Sequence, residues 1–108
     1  GTPGGGRIIN VVWQVVVNVL DYEMNIAEAT HQPRIHQGWQ KQELGIETGM
    51  NPETVSILKS MGHKIDMQQT MGSTQSIMWQ GGTFHGAADP RRPNALALGL
   101  DQKPVSIQ

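Results

Sequence analysis

This sequence predicts an α+β fold, a helix layer lying on a mainly antiparallel sheet. Three observations carry that reading. Ile8 to Leu20 and Val55 to Met61 repeat at helical spacing. Glu43 to Thr48 and His63 to Gln68 alternate instead, as half-buried strands do. Gln80-Gly81-Gly82 separates two further strand-like runs, Ser73 to Trp79 and Thr83 to Ala87, which is a hairpin signal.

Taken in order, Gly1 to Arg7 is a glycine-rich opening, Gly-Thr-Pro-Gly-Gly-Gly-Arg. Ile8 to Leu20 follows, and here propensity and period disagree. Its valines favour strand, whereas Asn10, Gln14 and Asn18 fall every four residues, along one side of a helix. Thirteen residues is long for a strand, so the period decides for a largely buried helix. Asn25-Ile26-Ala27-Glu28 reads as an N-cap with a partial capping box, opening a short helix that Pro33 ends. Glu43 to Thr48 places Leu44 and Ile46 on one face of a strand. Asn51-Pro52-Glu53 combines a cap, a first-turn proline and an acid near the positive helix end. Val55, Leu58 and Met61 then keep helical spacing, and Gly62 suits the stop. Ile65 and Met67 alternate in the next strand. From Asp89 on, three of the six prolines predict irregular structure, with residues 92–108 as a tail.

At 108 residues the chain is one segment, large enough for a modest core. Only 16% of residues are charged, against about 25% in ordinary soluble domains, which suits surfaces that something else covers. A net charge of −1 and a pI near 6.4 give no basic patch, so no nucleic-acid partner is expected. Without cysteine there are no disulfides and no thiolate metal sites. The chain opens Gly1-Thr2-Pro3 with neither an initiator methionine nor a basic-then-apolar leader, and a processed, trimmed or excised product is expected. The longest apolar stretch is too short and too polar to span a bilayer, so no membrane partner is expected either. No phosphate-loop pattern is present, and no cofactor is expected.

Four blocks, in order and at matching spacing over roughly residues 3 to 91, carry a family resemblance. They are Pro3-Gly4-Gly5 with Arg7-Ile8-Ile9, Gln14 through Asn18 and Asp21-Tyr22; Asn25 to Ala29 with Pro33-Arg34-Ile35-His36; Met71 to Met78; and Gly86-Ala87-Ala88-Asp89-Pro90-Arg91. Together they resemble the C-terminal part of the small subunit of the gamma-glutamyltranspeptidases. The resemblance implies an N-terminal nucleophile hydrolase fold, with stacked sheets between helix layers (αββα), of which this chain would form part. It implies a self-cleaving precursor whose new N-terminal threonine attacks gamma-glutamyl bonds of glutathione-type substrates and passes the acyl group to water or an amine. The implied partners are the remainder of such an enzyme and, only with it, a gamma-glutamyl substrate. A periplasmic or extracellular location is implied as well.

By the same resemblance, Gly4 and Gly5 match the glycine pair whose amides serve the family's oxyanion hole. Many relatives carry serine after that pair, where this chain has Gly6. The catalytic threonine of the family lies ahead of this segment. Thr2, followed by proline and outside the nucleophile block, is no substitute, so no catalytic residue is assigned and the isolated chain should be inert.

Plainer readings stand beside these. Gly4 to Gly6 also suits a flexible opening loop. His31, His36, His63 and His85 lack metal-ligand spacing, and no metal site is expected. Pro33-Arg34 and Asp89-Pro90-Arg91 read as turn formers and structural ion pairs. Ser73, Thr74 and Ser76 lack a histidine and acid for a triad. The alternative function is a non-catalytic module that binds itself or a partner. Sparse charge and the excess of apolar positions in Ile8 to Leu20 predict a homodimer or higher oligomer for the isolated chain, through the first helix or a sheet edge.

Overall fold

A computed structural model describes residues 1–99. A 3-10 turn (Gly5–Arg7) leads into α1 (Ile8–Leu20), then α2 (Ile26–His31), β1 (Ile35–His36), β2 (Glu43–Glu47), α3 (Pro52–Ser60), β3 (Lys64–Gln68), β4 (Gln75–Gln80) and β5 (Thr83–Ala88). The architecture is α+β. Residues 92–99 hold no helix or strand, and the rest of the expected tail lies outside the described residues.

The period, not the valine content, decides α1. Its polar stripe does not face water but ties the helix to its neighbours. The Asn10 amide donates to His36 Nδ1 at 2.8 Å. Gln14 grips the Ile35 backbone twice, donating to its carbonyl at 2.8 Å and accepting from its N–H at 2.9 Å. Asn18 donates to the Ala29 carbonyl at 3.3 Å. The stripe thus docks α1 on β1 and α2, and β1, at two residues, is too short for alternation to reveal it.

The expectation of a largely buried α1 needs correction. Val11 and Val15 are buried, but Ile9 is 80% exposed, Trp13 62% and Leu20 71%. Nothing among the described residues lies over that side of the helix.

The caps formed as their residues imply. Asn25 Oδ1 accepts from the Glu28 N–H at 2.8 Å, and the Asn25 side-chain NH2 donates to the Glu28 carboxylate, so the backbone return bond of a full capping box is not made. Asn51 Oδ1 accepts from the Glu53 N–H at 2.9 Å, with Pro52 in the first turn of α3.

There are two sheets rather than one. In the first, β1 runs antiparallel to β2, and β2 runs parallel to β3 in register from Glu43↔Lys64 to Glu47↔Gln68. Parallel neighbours need a crossover, and α3 supplies it. The second sheet is the hairpin β4–β5, closed at Gln80↔Thr83 around Gly81 and Gly82, whose φ angles of 61° and 77° are those of a tight primed turn. Helices α1 and α2 cover one face of this hairpin, where Val15, Ile26, Ala29 and Ala87 form a core with Val19, Met24 and Met78 packed on it. On the hairpin's other face, Trp79 and Phe84 pair across the strands with ring centres 4.6 Å apart, both exposed together with Ile77. The helix layer therefore covers one side of a sheet whose other side stays open.

Candidate functional site

The glycine loop takes a shape that other residues resist. Gly4 has φ 135° and Gly5 φ 56°. Side chains strain the first and tolerate the second poorly, so both positions select glycine. The Gly4 carbonyl accepts from the Arg7 N–H at 3.0 Å and starts the 3-10 turn. The Gly4 and Gly5 amides bond to no described residue, and both glycines are exposed. They sit just ahead of α1, where unsatisfied amides and the helix dipole favour negative charge. A Cβ at Gly6 would meet nothing within 4 Å, so a side chain as small as serine's starts in open space.

Bonds on either side hold this loop. Ahead of it, Thr2 Oγ1 accepts from the Ser73 N–H at 2.9 Å and donates to the Pro3 carbonyl at 2.9 Å. Thr2 presses so closely on the 71–74 turn that a Cβ on Gly72 would stand 2.5 Å from its hydroxyl and 3.3 Å from Val11. Behind the loop, Arg7 donates to Gln68 Oε1 at 2.6 Å, tying it to β3. His36, bonded to Asn10, lies beside the same region. Burial together with the Arg7 and Lys41 cations holds its imidazole below the usual histidine range, so it stays neutral and can accept at Nδ1.

The 71–74 turn is held in turn by a dry ionic knot. Arg34 is 2% exposed and Asp89 1%. Arg34 donates to Asp89 Oδ2 at 2.9 Å, to the Met71 carbonyl at 2.8 Å and to the Thr30 carbonyl at 3.0 Å. Asp89 Oδ2 also accepts the Thr74 N–H at 2.7 Å. Arg91 forks onto Glu47 at 2.7 and 2.6 Å and reaches Asp89 Oδ1 at 3.1 Å. Glu47 accepts the backbone N–H groups of Arg34 and Met71, each at 2.7 Å. Two guanidiniums and two carboxylates thus cancel in charge while joining the end of α2, β2, the 71–74 turn and residues 89–91. Among these groups Arg34 Nε and the Ser73 hydroxyl have no partner among the described residues.

The electrostatics follow from this packing. Burial alone would raise Asp89, but the Thr74 and Arg91 amides and the two guanidiniums outweigh it and hold its pKa at about 2. Burial would likewise raise Glu47, and its bonds to Arg91 and to the Met71 and Arg34 amides bring it below the usual carboxylate range. Arg34 and Arg91 move apart. Burial and the neighbouring Arg91 cation lower Arg34, whereas Glu47 and Asp89 overcome burial to raise Arg91. The geometry makes the reason plain: Arg91 holds a carboxylate bidentately, while Arg34 spends two of its bonds on neutral carbonyls.

Gly4 and Gly5 therefore occupy one exposed loop, and Arg34, Asp89 and Arg91 a separate buried cluster that supports it through the 71–74 turn. The structure agrees with reading those charges as structural ion pairs. Glu47 escaped the sequence reading because it follows Leu44 and Ile46 at the end of a strand and looks solvent-facing. Charge balance could have exposed it, since two arginines beside a single aspartate leave one cation without a counter-ion. The four histidines do not converge. Among the described residues no group of three or more histidine, cysteine or acidic side chains is placed to hold a metal ion, and no helix is long and apolar enough to cross a membrane.

Comparison with known proteins gives consistent results. The family profile described as Gamma-glutamyltranspeptidase matches residues 1–99. The chain is 48% identical over 100 residues to the glutathione hydrolase proenzyme of Escherichia coli (strain K12), covering 92% of this chain and 17% of that protein. Among solved structures, a gamma-glutamyltranspeptidase of Helicobacter pylori superposes with a TM-score of 0.77 at 41% identity, over 85% of this chain and 52% of that one. The enzyme of Pseudomonas nitroreducens superposes with a TM-score of 0.80 at 30% identity, over 95% of this chain and 54% of that one. The segment thus spans about half of each structural relative and under a fifth of the curated one.

Proposed function

The chain belongs to the gamma-glutamyltranspeptidase family, and from that premise we propose that it is the part of such an enzyme that supplies the oxyanion amides of Gly4 and Gly5. In gamma-glutamyl transfer or hydrolysis, attack on the amide carbonyl builds negative charge on its oxygen. Preorganised N–H donors at that oxygen lower the barrier more than they stabilise the substrate. The observation that carries this reading is the pair of exposed, unbonded glycine amides ahead of a helix, in a loop tied down at Thr2 and Arg7. The nucleophile is no part of this proposal: Thr2, two residues ahead of Gly4, has its hydroxyl engaged with Pro3 and Ser73.

The test uses the longer enzyme that carries this segment, with gamma-glutamyl-p-nitroanilide as substrate. Gly5→Pro removes one amide and also forces the backbone away from its φ of 56°, and should lower kcat by at least about 10²-fold. Gly6→Ser should leave kcat and KM nearly unaltered. Undiminished kcat in Gly5→Pro would remove Gly5 from the site. The present chain alone should release no nitroaniline, and release above background would mean that a nucleophile lies within it.

A second reading has its own observation. Ile9 and Trp13 project from α1 into solvent, and Ile77, Trp79 and Phe84 from the hairpin. Apolar surface of this kind favours association, so we also propose that the chain forms a homodimer or higher oligomer when isolated. Light scattering at micromolar concentration tests it, and a monodisperse species near 12 kDa would exclude it.

A further inference from the structure

The two edges of the first sheet are finished differently. At β1, the Gln14 side chain occupies both the N–H and the C=O of Ile35. At β3, the Thr48 N–H donates to the Gln68 carbonyl at 2.9 Å, which turns the backbone groups of Gln68 toward β2. Alternation turns those of Lys64 and Asp66 toward β2 as well, and those of Ile65 and Met67 outward. Among the described residues no strand lies on that side, since the sheet order is β1-β2-β3. An open edge of this kind invites another strand. Lys64 and Asp66 share one face of it and both are exposed, while Ile65 and the exposed Met67 share the other. Among the described residues neither charge belongs to an ion pair. Their side chains bond only to neutral amides, Lys64 Nζ donating to Gln42 Oε1 at 3.4 Å and Asp66 Oδ2 accepting from Gln68 Nε2 at 3.1 Å.

We propose that β3 is a dimerisation edge, pairing antiparallel with β3 of a second copy about a twofold axis at Ile65. This rests on the self-association proposed for the isolated chain and places it on one surface. Charge selects the register. A symmetric pair centred on Lys64 or on Asp66 sets like charges face to face, which is unfavourable. One centred on Met67 leaves Lys64 facing no charge. With Ile65 at the centre, Lys64 of each copy stands opposite Asp66 of the other, and the symmetry makes that pair twice. Both pairs fall at non-hydrogen-bonded positions, where facing side chains come closest. The two Ile65 residues exchange backbone bonds with each other. Each Met67 N–H meets the other copy's His63 carbonyl, the His63 N–H being already given to the Leu58 carbonyl at 3.1 Å. So short an edge buries less than the roughly 800 Å² per partner of an ordinary interface, and the dimer should form only at micromolar concentration or above.

Cysteine pairing reads the register, because the chain contains no cysteine of its own. Lys64→Cys and Asp66→Cys chains, mixed in equal amounts and mildly oxidised, should give a disulfide-linked dimer, their Cα atoms lying about 4.5 Å apart. Either variant alone should give at most about a tenth as much, because like positions then lie on a diagonal, about 7–8 Å apart. No dimer in the mixture, or as much from either variant alone, overturns the proposal. Charge reversal separates this edge from self-association in general. In light scattering at low salt, Lys64→Glu should weaken association about tenfold, and adding Asp66→Lys should restore it. Association untouched by Lys64→Glu would reject the β3 edge and leave self-association through another surface standing, whereas a parent chain that stays monomeric would end both. A measurement free of substitutions accompanies these. Amide exchange at Ile65 and Met67 should slow at least about threefold as concentration rises through the dimer range, while Lys64 and Gln68 stay unchanged. Exchange at Ile65 and Met67 that ignores concentration would also refute the pairing.

Discussion

The ionic knot and the hairpin lie on neighbouring parts of this chain and are finished to different degrees. In the knot, Arg34, Asp89, Glu47 and Arg91 are buried or nearly so, and each carboxylate oxygen has at least one charged or backbone donor. The hairpin has one face packed and the other bare, and past Gln75 the outer edge of β4 has no backbone partner among the described residues. Buried charge must find its partners within reach or the fold fails. Apolar faces and sheet edges can wait for another element, at the risk of association. The contrast therefore separates what this segment completes by itself from what it leaves open to another element.

The largest effect should come from breaking the knot. Asp89→Asn keeps the side-chain shape but leaves two buried guanidiniums facing one carboxylate, and should cost about 3–5 kcal/mol in urea unfolding followed by tryptophan fluorescence. A loss below about 1 kcal/mol would mean that water reaches Arg34 and that the knot is not dry.

Acid should attack the same place more gently. Asp89 and Glu47 have folded-state pKa values below their unfolded ones, so their contribution is complete above about pH 5 and declines as pH falls. For Asp89 the loss runs from near pH 4 down through about 2, and is on the order of 2 kcal/mol. Unfolding midpoints measured across that window should fall in the parent chain and stay flatter in Asp89→Asn. A parent curve as flat as the variant's would refute the assignment.

The link between knot and loop should be weaker again. Gly72→Ala places a methyl against Thr2 and Val11 at φ 72° and should cost about 1–2 kcal/mol. Adding Thr2→Ala should recover part of that loss, because the two sites touch, whereas strict additivity would show no coupling. Smallest of all, Gly6→Ser should change stability by less than about 0.5 kcal/mol, since its side chain enters open space. A larger loss would mean that the loop packs more tightly than its exposure indicates.

Much of the fold was legible because its signals are local. Asn25 and Asn51 cap the helices they precede, and the two glycines after Gln80 turn the chain where a hairpin needs them. The spacing of Asn10, Gln14 and Asn18 outweighed the valines around it. What stayed hidden was long-range. No local pattern distinguishes β2 parallel to β3 from the antiparallel alternative, because the choice rests on where α3 returns the chain. The exposed side of α1 misled for a related reason: periodicity reports which residues could be buried, not whether anything arrives to bury them. For the loop, the positive φ angles at Gly4 and Gly5 agree with the residues, while their chemical role enters only through resemblance to relatives. Charge balance could have called for an acid such as Glu47, but no local signal pairs it with Arg91, 44 residues away.

That same distance has a consequence for how the chain is made. A ribosome releases residues in order, at roughly 5–20 per second, and folding proceeds on what has emerged. Arg34 appears 55 residues before Asp89. For about one to four seconds of synthesis after β3 is made, the helices, β2 and β3 are all present, yet the cation at their junction has no aspartate to meet. Residues 89–91 act as the latch, and a transcript cut short just ahead of them would yield every helix and strand of this segment and still no stable product.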